Sequence, residues 1–150
     1  MRAILCCILL AAASPTHPDQ MLAAHNTVRK HVGVPPLQWS DKLATLARNW
    51  AETLAARGEF RHRPNNSYGE NIFEATNWHP SPAQVVNDWA SEAKDYNYRS
   101  NSCRVVCGHY TQIVWRATRR VGCGSATRGA RVIWVCNYDP PGNYVGQRPY

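Results

Sequence analysis

The chain has 150 residues, enough for one domain with a real core, and a formal net charge of +7 that favours anionic partners such as cell-wall polymers, membrane surfaces or acidic proteins. Its arginines are dispersed and no nucleic-acid-binding motif accompanies them, so nucleic acid is not an expected partner. No apolar run is long enough to anchor the chain across a bilayer.

The chain opens with "MRAILCCILLAAASPTHPDQ". Arg2, the apolar run over 3–13 and the small residues Ala11, Ala12 and Ala13 predict a secretory signal peptide over 1–13, cut after Ala13. The product is then an extracellular, soluble single domain over 14–150, about 137 residues, with a charge of about +6 once Arg2 is gone. Cys6 and Cys7 leave with the leader. Cys103, Cys107, Cys123 and Cys136 remain, an even number in an oxidising compartment, so disulfides are expected. Of the three pairings, the local one is preferred here: Cys103 with Cys107 and Cys123 with Cys136. The second bridge would close a loop of about 14 residues and contribute about 3 kcal/mol. A zinc site on Cys103, Cys107 and His109 is the alternative, and the tight spacing argues against it.

A helix is predicted over 20–31, with Met21, Leu22, His25, Val28 and Val32 near one face and Gly33, Pro35 and Pro36 ending it. "SDKLATLARNWAETLAARG" is a second helix. Ser40 caps it, Asp41 complements its dipole, Leu43, Leu46, Ala47, Trp50 and Leu54 form the apolar stripe, and Gly58 closes it. Pro64, Asn65, Asn66 and Ser67 mark turns, and a short strand is expected over 70–73. Ser81 caps a third helix with Pro82 in its first position and Val85, Val86, Trp89 and Ala93 on its buried stripe. Glu92 falls at the edge of that stripe. "DYNYRSNSC" reads as a loop. The alternation over 110–115 predicts a strand, with Thr111, Ile113 and Trp115 on one face, Gln112 and Val114 on the other, and His109 at its mouth. Strands over 121–126 and 132–138 would pair antiparallel around Arg128 and Gly129, bringing Cys123 opposite Cys136. The tail over 140–150 is irregular. Helices followed by clustered strands indicate an α+β fold, with helices packed over an antiparallel sheet.

Four polar residues stand out. His62 and Glu70 flank the Pro-Asn turn, Glu92 borders a Val- and Trp-rich helix face, and His109 precedes an apolar stretch. Singly, each has a plain explanation: a solvated loop residue, a turn cap, a helix charge, a structural histidine. "GHYTQIVWRAT" and "CNYDPPGNYVGQRPY", however, resemble the two signature segments of the CAP superfamily, which holds cysteine-rich secretory proteins, antigen-five allergens and pathogenesis-related proteins of group one. "HNTVRKHVGVPPLQW", "YGEN", "VNDWASEAKDYNY" and "VGCG" fit the same family in the same order. The similarity spans essentially the whole exported chain and is strongest to the plant pathogenesis-related type.

The resemblance implies a three-layer α-β-α sandwich with a small central antiparallel sheet, and a cleft lined by His62, Glu70, Glu92 and His109. It also implies that His62 and His109 bind a divalent metal, zinc for example, in several members. Two imidazoles leave positions open on zinc, and nearby carboxylates can hold a water or orient the rings. Two departures stand out. Relatives of the plant type carry six cysteines. The two absent here would fall near 58–60 and 127–128 and resemble partners in one bridge, so the other two pairs are intact. The missing bridge implies a stability about 2–4 kcal/mol lower. Arg63 stands where relatives often have serine, and its guanidinium disfavours a cation nearby.

"WASEAKDYNYRSNSC" resembles the aromatic loop with which members bind sterols, which would put Trp89, Tyr96 and Tyr98 at a lipid slot. For Trp89 the alternative is plain helix core. The segment over 140–150 matches a C-terminal peptide that plant members release as a defence signal, with a cut after Asp139; the alternative is a packed tail. Asn65 begins a glycosylation sequon. The expected function is a secreted defence or host-interaction protein, antimicrobial by sequestering sterol or a related lipid, non-catalytic and requiring no cofactor. A metal-assisted hydrolase using the His/Glu cleft and a signalling-peptide precursor are the alternatives.

Overall fold

The computed structural model describes residues 17–150. The predicted signal peptide lies outside them. Helix α1 spans His17–His31 and starts ahead of the predicted boundary, with Pro18 and Asp19 in its first turn, where a missing N–H and a negative charge are both accepted. Its buried residues are Met21, His25 and Arg29, one turn apart. A two-residue strand β1 (Gln38–Trp39) leads into α2 (Asp41–Arg57), which has the predicted caps. Ser40 Oγ accepts from the Leu43 N–H at 3.4 Å, and Gly58 in the left-handed conformation ends the helix.

Strand β2 (Gly69–Thr76) is longer than predicted. Helix α3 (Pro82–Ser91) has a full capping box between Ser81 and Gln84. It stops at Ser91 and passes into a 3-10 turn over Glu92–Asp95, which leaves Ala93 exposed rather than on the buried stripe. Within the predicted loop, β3 (Tyr96–Asn97) and β4 (Ser102–Cys103) make a small antiparallel hairpin.

The predicted strand over 110–115 is not a strand. Gly108–Ile113 is a short helix, α4. The Thr111 N–H returns to the Cys107 carbonyl at 2.9 Å. The Glu92 carboxylate accepts the N–H groups of His109 and Tyr110 at 3.0 and 3.1 Å, capping the helix from another element. Tyr110, Gln112, Ile113, Val114 and Trp115 are all buried, so the alternation carried no information about a polar face.

Strands β5 (Arg120–Arg128) and β6 (Arg131–Asp139) form the predicted hairpin, with Cys123 directly opposite Cys136. The sheet order is β1-β5-β6-β2. The three long strands are antiparallel, as expected, and β1 adds a short parallel edge. Helices α1, α3 and α4 cover one face around Trp89, Ile113, Trp134 and Tyr138, and α2 covers the other over Ile72, Ile133 and Val135. This is the α-β-α sandwich. A Cβ on Gly124 would stand 2.6 Å from the Arg48 backbone nitrogen, so glycine there lets α2 lie directly on β5.

Both predicted disulfides are present, Cys103–Cys107 and Cys123–Cys136, with Cα atoms 5.9 and 4.0 Å apart. The first removes the thiolates that the zinc alternative required.

Candidate functional site: two histidine–glutamate pairs and an aromatic hairpin

Alternation along β2 sends Glu70 and Asn71 to opposite faces. Glu70, with a side chain 5 % exposed, faces the turn before it and accepts from His62 Nδ1 at 2.7 Å, from the Arg63 N–H at 3.0 Å and from Asn66 Nδ2 at 3.4 Å. A carboxylate only accepts, so His62 Nδ1 carries a proton. This hydrogen bond raises the His62 pKa above its ordinary value, against a smaller opposing effect of burial. Asn66 also donates to Asn137 Oδ1 at 3.3 Å, which ties the turn to β6.

In the second pair, His109 Nδ1 donates to Glu92 Oε1 at 2.6 Å. The His109 ring lies 6.0 Å from that of Trp89 at an interplanar angle of 20°. Asn71 Nδ2 donates to the His109 carbonyl and to the Tyr138 hydroxyl, both at 3.1 Å. Behind it, His25 Nδ1 donates to the Met21 carbonyl at 2.8 Å, which leaves Nε2 to accept the Tyr138 hydroxyl at 2.8 Å. A buried polar chain therefore runs from α1 to the backbone of His109. The four predicted cleft residues thus form two pairs flanking the start of β2. The sequence reading missed Asn66 and Asn71, which hold those pairs in place. A polar residue following Glu70 in a two-sided strand was the available signal, since one of the two had to be paired indoors.

In each pair the Nδ1 proton is committed to a carboxylate and Nε2 keeps its lone pair, the tautomer that ligates metal with an acid behind it. His62 and His109 are the residues that would hold such an ion. Among the described residues, the three donors within 4.8 Å of one another are instead His25, Cys123 and Cys136. Those cysteines are joined in a disulfide and both His25 nitrogens are engaged, so that cluster does not fit a metal.

The aromatic residues divide. Trp89, 1 % exposed, donates from Nε1 to the Ile72 carbonyl and belongs to the core, where it has no surface for a lipid. Tyr96 is half-buried and donates its hydroxyl to Asn101 Oδ1 at 2.8 Å. Tyr98 is exposed and stacks on Tyr150 with ring centroids 4.8 Å apart. A groove of about 300 Å³ runs between the β3–β4 hairpin and the C-terminal segment, with Tyr96, Trp115 and Tyr144 among its walls and Asn101, Thr111 and Gln147 supplying polar atoms. The tail is packed. Pro149 is buried and its carbonyl accepts the Arg116 N–H at 2.7 Å, the Tyr150 hydroxyl meets that of Tyr110 at 3.1 Å, and Tyr144 leans toward Trp115 while half exposed. Asn65 is exposed in the turn, in the left-handed conformation.

Residues 22–138 match the CAP cysteine-rich secretory protein family. The chain is 47 % identical over 133 residues to Pathogenesis-related protein 1A of Nicotiana tabacum, covering 86 % of this chain and 78 % of the tobacco protein. The structure of Schistosoma mansoni venom allergen-like protein 4 superposes with a TM-score of 0.74 at 29 % identity, over 91 % of this chain and 95 % of that one. The structure of NaASP2 with Zn2+ shares the fold, with a TM-score of 0.72 at 24 % identity over 89 % of this chain and 84 % of that one. The chain belongs to the CAP family of cysteine-rich secretory proteins, among relatives of the pathogenesis-related type.

Proposed function

We propose that this chain is an extracellular, non-catalytic protein of defence or host interaction that holds a sterol or related lipid beside the Tyr96/Tyr98 hairpin. The observation that carries this reading is the groove between that hairpin and the tail. Its volume of about 300 Å³ is at the small end of ligand sites, and it combines aromatic walls with a few polar atoms. A sterol has that character, a rigid apolar body with one hydroxyl. Trp89 supports the site from the core without touching the ligand. Two disulfides in a chain of this size suit an oxidising, exported setting.

The test is binding of labelled sterol to the purified protein, with Tyr96→Ala/Tyr98→Ala and His109→Ala variants alongside. Saturable binding retained in His109→Ala and reduced at least about tenfold in the tyrosine variant is the expected result. No binding by the wild type overturns the reading.

A second reading, metal-assisted hydrolysis, is favoured by the free Nε2 atoms of His62 and His109 and by the zinc in NaASP2. Bound zinc would supply a Lewis acid and an acidified water. Chelator-sensitive hydrolysis of a peptide or ester library, lost in His109→Ala, would establish it.

A further inference from the structure

The net charge is not spread along the chain. Residues 1–95 carry nine basic and nine acidic side chains, whereas residues 96–150 carry eight arginines and one acid, Asp139. Asp139 is itself paired with Arg120 at 2.5 Å. The same cationic segment holds the three most exposed large apolar side chains among the described residues, Val145 (102 %), Val105 (71 %) and Val106 (51 %).

These valines stand on two neighbouring tips. Val105 and Val106 lie inside the short loop closed by the Cys103–Cys107 disulfide. Val145 is at the corner of a turn over 144–147, closed by the Gln147 N–H on the Tyr144 carbonyl at 3.1 Å. Gly146 takes the third position of that turn with φ 81°, which a side chain would strain. The tips are fastened side by side. Asn143 Nδ2 donates to the Gly108 carbonyl at 2.8 Å, the Thr111 hydroxyl donates to Asn143 Oδ1 at 2.7 Å, and Asn101 Nδ2 donates to the Gln147 carbonyl at 3.1 Å. The groove opens between them, with both cysteines on one rim and Tyr144 and Gly146 on the other.

Single exposed valines are ordinary on protein surfaces. Three on two adjoining tips, in the segment that holds the sequence's excess of arginine although Arg104 and Arg131 are paired with Asp95 and Glu74, match the make-up of an interfacial anchor: apolar side chains to enter the acyl boundary and cations to meet anionic headgroups. Arg99 and Arg148 are exposed beside the hairpin, and Arg148 is held in place by the carbonyls of Tyr98 and Arg99 at 3.2 and 3.0 Å. The disulfide and the turn have already removed most of the freedom that such tips would lose on insertion.

We propose that Val105, Val106 and Val145 enter the interface of an anionic lipid bilayer and seat the mouth of the groove on it, so that lipid passes between bilayer and groove without crossing water. The docking rests on the tips and the charge, and its cargo rests on the lipid-binding reading above. An acidic polysaccharide would attract the arginines equally but would be indifferent to the valines.

The experiment is flotation of the purified protein with vesicles of phosphatidylcholine, alone or mixed with phosphatidylserine, comparing the wild type with a V105S/V106S/V145S variant. Serine removes the aliphatic groups without adding charge, and the sites are exposed. Flotation with the serine-lipid vesicles, reduced about tenfold or more in the variant while binding of detergent-solubilised sterol is unchanged, is the expected result. A wild type that stays with the unbound fraction at low salt, or a variant that floats as well as the wild type, overturns the proposal. Valine-dependent flotation together with no sterol binding in detergent upholds the docking and removes the lipid-holding function.

Discussion

His25 lies at 0 % exposure between the Met21 carbonyl and the Tyr138 hydroxyl, with the Arg29 guanidinium as its charged neighbour. His62, with a side chain 62 % exposed, faces the Glu70 carboxylate. Burial, with Arg29 adding repulsion, pushes the His25 pKa down to about 4, whereas the hydrogen bond to Glu70 raises that of His62. The comparison separates two uses of one side chain. A ring indoors with neutral partners is a fixed hydrogen-bonding strut, and a ring at the surface with an acid behind it keeps the ability to take a proton or a metal. In exposure His109 lies between the two, with a side chain 28 % exposed, stacked on Trp89 and paired with Glu92.

The largest effect that sharpens the contrast is acid sensitivity from His25. Its pKa is depressed in the fold from 6.5 to about 4, so the unfolded chain takes up the extra proton first as pH falls. Stability from this group is full above about pH 6.5 and declines by about 1.4 kcal/mol per pH unit down to about pH 4, in all about 3 kcal/mol. Urea unfolding of the wild type and of His25→Gln between pH 7 and 4 measures it. A wild type whose slope over that window equals that of the variant would remove His25 from the account.

Next comes Glu92→Ala. It leaves the N–H groups of His109 and Tyr110 without their acceptor and is expected to cost about 2–3 kcal/mol, more than His109→Ala, which leaves the helix cap in place. The reverse order in denaturant midpoints would mean that the ring, not the acid, holds α4. The smallest effect belongs to His62. Its raised pKa means that its contribution is full below about pH 6.5 and is lost as pH rises through the higher folded value. Solvent screening keeps it under about 1 kcal/mol. Its titration followed by NMR is expected above the ordinary histidine value and to fall in Glu70→Gln. A titration unmoved by that substitution would show that Glu70 does not set it. Zinc added to the same sample separates the pairs further, because a metal held by both rings perturbs His62 and His109 together and leaves His25 unchanged.

The parts of the molecule legible in the sequence are those where local chemistry and tertiary contact agree. Helix α2 has its cap, dipole residue, stripe and terminating glycine in order, and the β5–β6 hairpin places its two cysteines in register. The parts that were not legible depend on contacts distant in sequence. Helix α4 is six residues long and is capped by Glu92, seventeen residues before His109, so alternation over so short a stretch could not reveal it. Strand β1 is two residues whose only ladder among the described residues is with β5. Trp89 could have faced a ligand or the core, and only the packing of α3 on the sheet decides. Family likeness singled out the four candidate residues, and the structure pairs His62 with Glu70 and His109 with Glu92. The division into two pairs rests on the hydrogen bonds His62–Glu70 and His109–Glu92, and the asparagines beside them are ordinary polar residues until their partners are known.

The chain of bonds through Tyr138 has one further consequence. Its hydroxyl proton is enclosed between His25 Nε2 and the Asn71 amide in a residue with 0 % exposure, and Nε2 accepts it because Nδ1 is already a donor. That proton cannot trade places with a solvent deuteron while α1 stays on the sheet. Its lifetime in heavy water is therefore a clock for the lifting of that one layer, readable without a label and separable from opening of the α2 side.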